Sequence, residues 1–519
     1  MLSKIQDDLF KRPHNGIQKD IDLIYKKNKI LLGWPKGIDK IFCHLSRKNS
    51  VAIVGVALGD EGKGRFVDNE IKIMLEKRGV KKIAVIRFQG GNNAGHTIEK
   101  KGLRLALHLV PSGVLHPQAI GIMDQGMVIH PQDLRTEIEY IEKSIRSLKG
   151  RLFLSENAIL CTDLERAEEI LNSLKRDEVK GGTGRGISPS YAHHYDRLGL
   201  KIYDLLDNNW KNTLKDYYNR YKKEFSVFGI NLATVQTPDY KPSRNGKMQK
   251  RKVGSEKEFL KNLKEIRDWL IKRNFVINTF LMHQKIYNNN TIGIIFEGSQ
   301  AQGLDAWLGT RPDVTSSNTS MYGLREGTAL WSPKLIEDRI GVFKIPYTSS
   351  VGARKMPTHV DLPKDLKDLP KNASQEQKWA AYVRETANEY GATTGRPRDI
   401  NHLDLAFLSY NARMSGIEIL VGTHLDIAKE NQTIMVCTHY KNQKGDYVPY
   451  QPGLRYQKNV IPSYIKLPGW DGEKCRKAKK MEDLPINALK FLSFVQKRTG
   501  FPITIVTTGP LRENIITLS

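Results

Sequence analysis

The 519-residue chain has only four cysteines, Cys43, Cys161, Cys437 and Cys475, and no two of them form a C-x-x-C pair. That spacing supports neither a zinc site nor a disulfide framework, so reduced thiols are expected. No apolar run approaches the roughly 18–20 residues needed to span a membrane. The opening residues, Met1-Leu2-Ser3-Lys4-Ile5-Gln6-Asp7-Asp8, have no apolar signal core, which makes the cytoplasm the default location. Internal repeats and long low-complexity tracts are absent. Acidic residues are also in short supply. There are 56 Asp and Glu against 82 Lys and Arg, for a net charge of +26.

A field of that sign attracts phosphates and nucleic acids. Most basic residues are nevertheless scattered and interleaved with acids, as on solvated faces. The exception is Lys241 to Lys252, where Lys241, Arg244, Lys247, Lys250, Arg251 and Lys252 have no acid between them. With Pro242, Ser243, Asn245 and Gly246 this reads as a mobile basic loop.

What is present is a nucleotide-type frame. The apolar run Val51-Ala52-Ile53-Val54-Gly55-Val56 leads into Gly59-Asp60-Glu61-Gly62-Lys63-Gly64 and then a helix-like segment, Arg65 to Lys77. Strand, glycine turn and helix together form an anion site: glycines admit close backbone approach, and the helix start offers free N–H groups. Lys63 adds a point charge. The loop is not a Walker A sequence, because its spacing is too short and no Ser or Thr follows the lysine. Asp60 and Glu61 beside phosphates would be unfavourable unless one binds a metal or moves a proton.

Further strands are expected at 82–88, 291–296, 417–422 and 503–507. Helices are expected at 133–148, 164–175, 256–273, 402–414 and 486–499. This alternation predicts an α/β fold, with a doubly wound sheet covered on both faces. Residues 1–48 precede the first strand as an N-terminal extension of unknown role.

Strand 82–88 runs into a second glycine turn, Gly90-Gly91-Asn92-Asn93-Ala94-Gly95-His96-Thr97. Two polar turns at the carboxyl ends of neighbouring strands are expected to share one crevice. His96 is a candidate general acid or charge stabiliser there. Four further segments have binding-site character: Gly181-Gly182-Thr183-Gly184-Arg185-Gly186-Ile187, Phe296-Glu297-Gly298-Ser299-Gln300, Asp313 to Thr319, and Thr393-Thr394-Gly395-Arg396-Pro397-Arg398. The two guanidinium groups of the last suit a dicarboxylate.

These segments, in this order, resemble the adenylosuccinate synthetase family. Its paired signatures correspond to Gly59–Gly64 and Gly90–Thr97, and the likeness continues through Thr508-Gly509-Pro510. It covers about 50 to 519 and fails over 1–48 and around 224–255, which look like additions. The resemblance implies a large, mostly parallel central sheet with helices on both faces, a P-loop-like synthetase fold with subdomain insertions. It also implies a ligase that joins L-aspartate to C6 of IMP with GTP and Mg²⁺, through a 6-phosphoryl intermediate.

By the same resemblance, Asp60 removes the N1 proton of IMP and, with the Gly95 carbonyl, holds Mg²⁺. His96 stabilises the transferring phosphoryl group and Lys63 neutralises GTP phosphates. Asn93, Thr183, Gln300, Thr315 and Arg396 map onto the IMP site. Arg197 matches an arginine that crosses to a partner subunit's IMP site, which implies a homodimer. Thr393, Thr394, Arg396 and Arg398 map onto the aspartate loop. The GTP site takes Gly59, Glu61, Gly62, Lys63, Gly64, Gly95, His96, Thr97, Asp426, Thr507 and Gly509, with Asp426 pairing with guanine.

The chain departs from the family pattern around the substrates. His424 stands for a lysine, Gly182 for a threonine, Ser350 for an arginine, and Ala57-Leu58 for Gln-Trp. Two alternatives follow: the same mechanism on another purine nucleotide, dGMP, or with ATP as donor; or a non-catalytic paralogue that binds nucleic acid. Viral relatives acting on dGMP typically change the position of Asp60, which is intact here.

Overall fold

A ten-stranded sheet organises the chain. The computed structural model describes residues 49–100, 103–145, 147–174, 183–239, 249–328, 335–350, 355–391 and 395–518; the side chains of 96–100, 103, 104, 106, 174 and 454 are outside that description. In chain order the strands are β1 (Ser50–Gly55), β2 (Lys82–Arg87), β3 (Ala119–Met123), β4 (Leu152–Ser155) and β5 (Val276–Ile277). They continue with β6 (Ile292–Ala301), β7 (Asp338–Lys344), β8 (Ile419–Thr423), β9 (Ile503–Thr507) and β10 (Ile515–Thr517). Their order across the sheet is β5-β4-β3-β2-β6-β1-β7-β8-β9-β10. Every neighbouring pair is parallel except β9 and β10.

The burial of β1 explains its apolar sequence. All six residues are buried. Val51 and Ile53 pack with Phe66, Val67, Ile71 and Met74 of helix α1 (Lys63–Lys77). Ala52 and Val54 belong to the core on the opposite face, with Leu405, Leu408, Phe491 and Val495 from helices Leu405–Ser415 and Ile486–Thr499. A strand covered on both faces has no polar alternation to show.

The helices at Glu256–Arg273 and Ile486–Thr499 fall where the sequence predicts them. Ser255 and Glu258 form a capping box at the first, and left-handed Asn274 ends it. Three expectations change. The helix predicted over 402–414 starts at Leu405, because residues 399–404 form a strand and Asp404 caps the helix by accepting from Phe407 N at 3.0 Å. The helix predicted over 133–148 is Pro131–Glu142. The basic stretch ends in order, since Lys250–Lys252 pairs antiparallel with Gln236–Pro238.

The strand Asp399–Asp404 belongs to a smaller mixed sheet. It lies between Tyr347–Ser350 and Thr433–Lys441, and Ile461–Pro468 pairs with the latter. A separate core gathers Leu134, Leu164, Tyr217, Tyr221, Phe259 and Leu263 from the helices between β3 and β5. The two glycine turns follow β1 and β2, which are not neighbours. β6 runs between them and brings its own polar end, Glu297 to Gln300.

Candidate active site

The turn after β1 is held by its own second carboxylate. Glu61 is fully buried; its Oε1 accepts from Gly59 N at 2.8 Å and Ala57 N at 3.3 Å. Its Oε2 pairs with Lys63 Nζ at 2.8 Å. Gly55 makes this possible, because a Cβ there would lie 2.4 Å from Glu61 Oε2. Thr423 Oγ1 donates to Glu61 O at 3.0 Å and so fastens the turn to the end of β8. Gly59, Asp60 and Gly62 have φ of 98°, 55° and 90°. This left-handed path suits glycine and is tolerated by aspartate. It turns Asp60 outward, and α1 starts with no side chain capping its amides.

Asp60 meets a buried ion network. Arg398 Nη2 lies 2.6 Å from Asp60 Oδ2, and Arg398 Nη1 lies 2.8 Å from Glu389 Oε2. The other oxygen of Glu389 accepts from Lys344 Nζ and Tyr347 OH. Lys344 Nζ also donates to Ser349 Oγ at 2.7 Å. Burial alone would raise the Glu389 carboxyl, but Lys344 and Arg398 outweigh it and hold the group well below the usual range. Tyr347 OH stands 3.4 Å from His424 Nδ1, and the two rings meet edge to face. Burial first, and the Lys344 charge next, bring His424 down to about 3, so its ring is neutral at physiological pH.

At the far end, Asp426 is buried and accepts from Arg476 Nε at 2.9 Å. Thr507 receives the turn there: His424 N donates to its hydroxyl at 3.3 Å and Leu425 N to its carbonyl at 3.1 Å. Arg65 on α1 donates to the carbonyls of Gly509, Leu511 and Asn514. One cavity of about 900 Å³ connects these parts. Its walls bring together Asp60, Gly62, Lys63, Gly64, Gly95, Arg398, Asp426, Thr507 and Gly509, all predicted from sequence, along with Arg65, His424 and Arg476. A volume of this order suits a nucleotide.

The turn after β2 forms a second cluster. Asn93 Oδ1 accepts from Gln300 Nε2 at 3.1 Å and Gly91 N at 3.2 Å, which joins two predicted residues. Asn92 donates to buried Asp133, which also pairs with Arg166 and lies 3.8 Å from Arg185. Glu169 accepts from the amides of Gly184 and Gly186 at 3.1 and 2.6 Å, so the 183–187 turn is shaped by a carboxylate of the preceding helix. Thr183 is exposed, as are Arg197 and Arg396, and Thr315 is half-buried. Residues 1–48, Gly182, 241–248, Thr393 and Thr394 lie outside the described residues, as do the side chains of His96 and Thr97.

Sequence reasoning passed over Glu389, Lys344, Tyr347 and Arg476. Only Lys344 gave a signal, as a cation at the end of the apolar run Val342-Phe343. For a divalent cation, Asp60 offers a partly exposed carboxylate and Gly95 lines the same cavity. No group of three or more His, Cys, Asp or Glu is arranged around a cation position among the described residues. That donor set fits Mg²⁺, which takes one or two protein carboxylates together with substrate phosphates.

A family model for adenylosuccinate synthetase matches residues 52–516. The adenylosuccinate synthetase of Caldicellulosiruptor bescii is 33% identical over 467 residues, covering 90% of this chain and 98% of its own length. The fully ligated adenylosuccinate synthetase of Plasmodium falciparum superposes with a TM-score of 0.76 at 29% identity, covering 91% of this chain and all of its own. A Cyanophage S-2L succinoaminodeoxyadenylate synthetase bound to dGMP and dATP gives a TM-score of 0.50 at 14% identity, over 91% of this chain and 95% of its own. That last likeness is one of fold alone.

Proposed function

Because the chain belongs to the adenylosuccinate synthetase family, we infer that the cavity beside α1 holds GTP and that Asp60 is the reaction's base. The activity is that of the family: L-aspartate is joined to C6 of IMP with consumption of GTP, giving adenylosuccinate, GDP and phosphate. The observation that carries the role of Asp60 is its contrast with Glu61. Two adjacent carboxylates are sorted by the turn, one buried in its own loop and the other facing the cavity.

In this reading Asp60 takes the N1 proton of IMP, so that O6 attacks the γ-phosphorus of GTP and GDP leaves. The aspartate amino nitrogen then attacks C6 and the phosphate departs. Lys63, α1's amides and His96 stabilise charge on the transferring group by position. Asp60 and the Gly95 carbonyl would hold Mg²⁺, whose contribution is to offset charge on the phosphates. Arg398 already lies against Asp60, so a substrate carboxylate bound to Arg398 stands next to the base. Thr393, Thr394 and Arg396 complete the aspartate loop. Asn93, Thr183, Gln300 and Thr315 take IMP, while Asp426, Thr507 and Gly509 take guanine.

A homodimer completes the IMP site with Arg197. Arg197 is exposed beyond the helix Ile187–Tyr195, beside exposed Tyr195 and Leu198. No helix among the described residues is long and apolar enough to cross a membrane.

The decisive experiment offers purified protein aspartate and Mg²⁺ with IMP or dGMP, and GTP or ATP, and measures phosphate and succinylated product. Turnover is expected with IMP and GTP. Asp60→Asn is expected to abolish turnover while nucleotide binding persists. Near-normal turnover in that variant would remove Asp60 from the role of base.

A further inference from the structure

We propose that Arg476 acts with Asp426 to read the Watson–Crick edge of the phosphoryl donor's base, and so selects guanine over adenine. The proposal rests on the reading that GTP occupies the cavity beside α1.

Arg476 is placed by the fold. It sits on the short helix Gly472–Lys477, capped by Asp471, which accepts from Lys474 N at 3.1 Å. That helix starts hard against the turn after β8. A Cβ on Gly472 would lie 2.2 Å from the Asp426 carbonyl oxygen and 2.8 Å from that of Ala428. Cys475, next to Arg476, is fully buried. The guanidinium is therefore presented from a seated element, and both it and Asp426 line the cavity.

The atoms left over match guanine and not adenine. Arg476 Nε donates to Asp426 Oδ2 at 2.9 Å and Nη1 donates to Glu473. Nη2 takes no partner among the described residues. The buried carboxylate keeps further lone pairs after accepting one bond. Side by side, the pair offers a donor next to an acceptor. Guanine shows the complement: O6 accepts, while N1–H and the 2-amino group donate. Adenine inverts the pattern at both positions, setting its 6-amino group against a donor and its N1 lone pair against a carboxylate.

Two nearby groups do not replace Arg476. His424 is neutral, and the Arg65 guanidinium is engaged with the carbonyls of Gly509, Leu511 and Asn514. Sites built to hydrogen-bond one pattern reject its inverse because buried polar groups are then left unpaired.

The test compares kcat/KM for GTP, ITP and ATP, with IMP and aspartate saturating, in the wild type, Arg476→Ala and Arg476→Lys. ITP keeps O6 and N1–H but lacks the 2-amino group, so it isolates what the guanidinium reads. The expected result is a fall of about 10–100-fold with GTP and ITP in Arg476→Ala, as for loss of a charged hydrogen bond. ATP should be unchanged or improved, Arg476→Lys intermediate, and KM for IMP and aspartate unmoved. A parallel fall with all three donors, or an unchanged GTP-to-ATP ratio, would overturn the proposal by reducing Arg476 to a structural role. The ratio of GDP to ADP affinity by calorimetry, independent of turnover, should fall by a similar factor; an unchanged ratio overturns the proposal even where activity is lost. A wild type that turns over no donor sinks the underlying reading instead.

Discussion

Two buried ion networks in this protein use the same residue types and end differently. Around Asp133, the partners are Asn92, Arg166, Arg185 and His130, and Asp163 extends the network to Arg251. Asp133 and Arg166 are at most 1% exposed, and among the described residues the network reaches water at Arg251, whose side chain is 25% exposed. Around Glu389, exposure climbs along the chain of contacts, from 1% at Glu389 to 12% at Arg398 and 29% at Asp60. The first network closes on itself and fixes the turns at 90–95 and 183–187. The second has a dry, fixed end and a wet end that faces the cavity. Burial holds a charge in place, and a graded exit from burial lets that charge do chemistry on a ligand.

The strongest way to break this contrast is to remove the two central carboxylates. Glu389→Gln leaves Lys344 and Arg398 with one fewer anion in a dry site. Breaking one partner of such a pair is expected to cost about 3–5 kcal/mol of stability. Turnover should also fall by roughly two orders of magnitude or more, as when catalytic groups are misplaced by about 1 Å. Asp133→Asn should cost a similar 3–5 kcal/mol, because Arg166 and Arg185 lose their partner. Its kcat per folded molecule should change less than that of Glu389→Gln, and KM for IMP more, because this network fixes the turns that carry Asn93 and Thr183 and does not touch Asp60. Denaturant unfolding and steady-state rates of both variants check the pair. Equal losses of kcat would mean that the two networks do not differ in kind.

Part of this was legible in the sequence. The strand, turn and helix of 50–77 declared themselves because an all-apolar run, three glycines and a helix start are local signals. The helix of 256–273 was legible for the same reason, and the structure ends it with local devices, the Ser255–Glu258 capping box and left-handed Asn274. The order of β1, β6 and β2 was not legible, since β6 arrives more than two hundred residues later to lie between strands 1 and 2. Glu389 was hidden too. Its partner Lys344 is 45 residues away, and nothing near either residue announces an ion pair that only the junction of the two sheets creates. Glu61 shows the limit from the other side. The sequence placed it in the loop, but only packing at Gly55 and Thr423 turns it inward.

Acid sharpens the comparison next. Each network contains a histidine kept neutral by burial, His424 in one and His130 in the other. For His424 the folded value is about 3, below the ordinary value near 6.5 of an unfolded chain. A depressed value means that the unfolded chain binds the proton first. Stability from this group is complete above about pH 6.5 and is lost as pH falls towards 3. The expected loss is about 2 kcal/mol between pH 7 and pH 5. His424→Asn, which tolerates the left-handed φ of 63°, should flatten that limb in unfolding measured against pH. KM for GTP should not titrate through this residue between pH 5.5 and 8.5. A step in KM near pH 6.5 that vanishes in His424→Asn would show the ring to be charged in the folded protein.

The smallest effect is expected where the closed network meets water. Arg251 lies 2.8 Å from Asp163 and 3.1 Å from the His130 ring, and its side chain is 25% exposed. It belongs to the basic stretch that looked like a mobile loop, yet its strand pairs with 236–238, and Arg166 Nη1 holds the Pro238 carbonyl at 2.8 Å. Arg251→Gln removes only the wet end, so the cost should be about 1 kcal/mol or less. Added salt should shrink the difference from wild type, because a partly exposed pair is screened and a sealed one is not. Amide exchange should quicken in the 236–238 and 250–252 strands and not in the helix that carries Asp133. A cost equal to that of Asp133→Asn, unmoved by salt, would mean that position along the network does not set the energy. The graded exit from burial would then fail as the account of Asp60 as well.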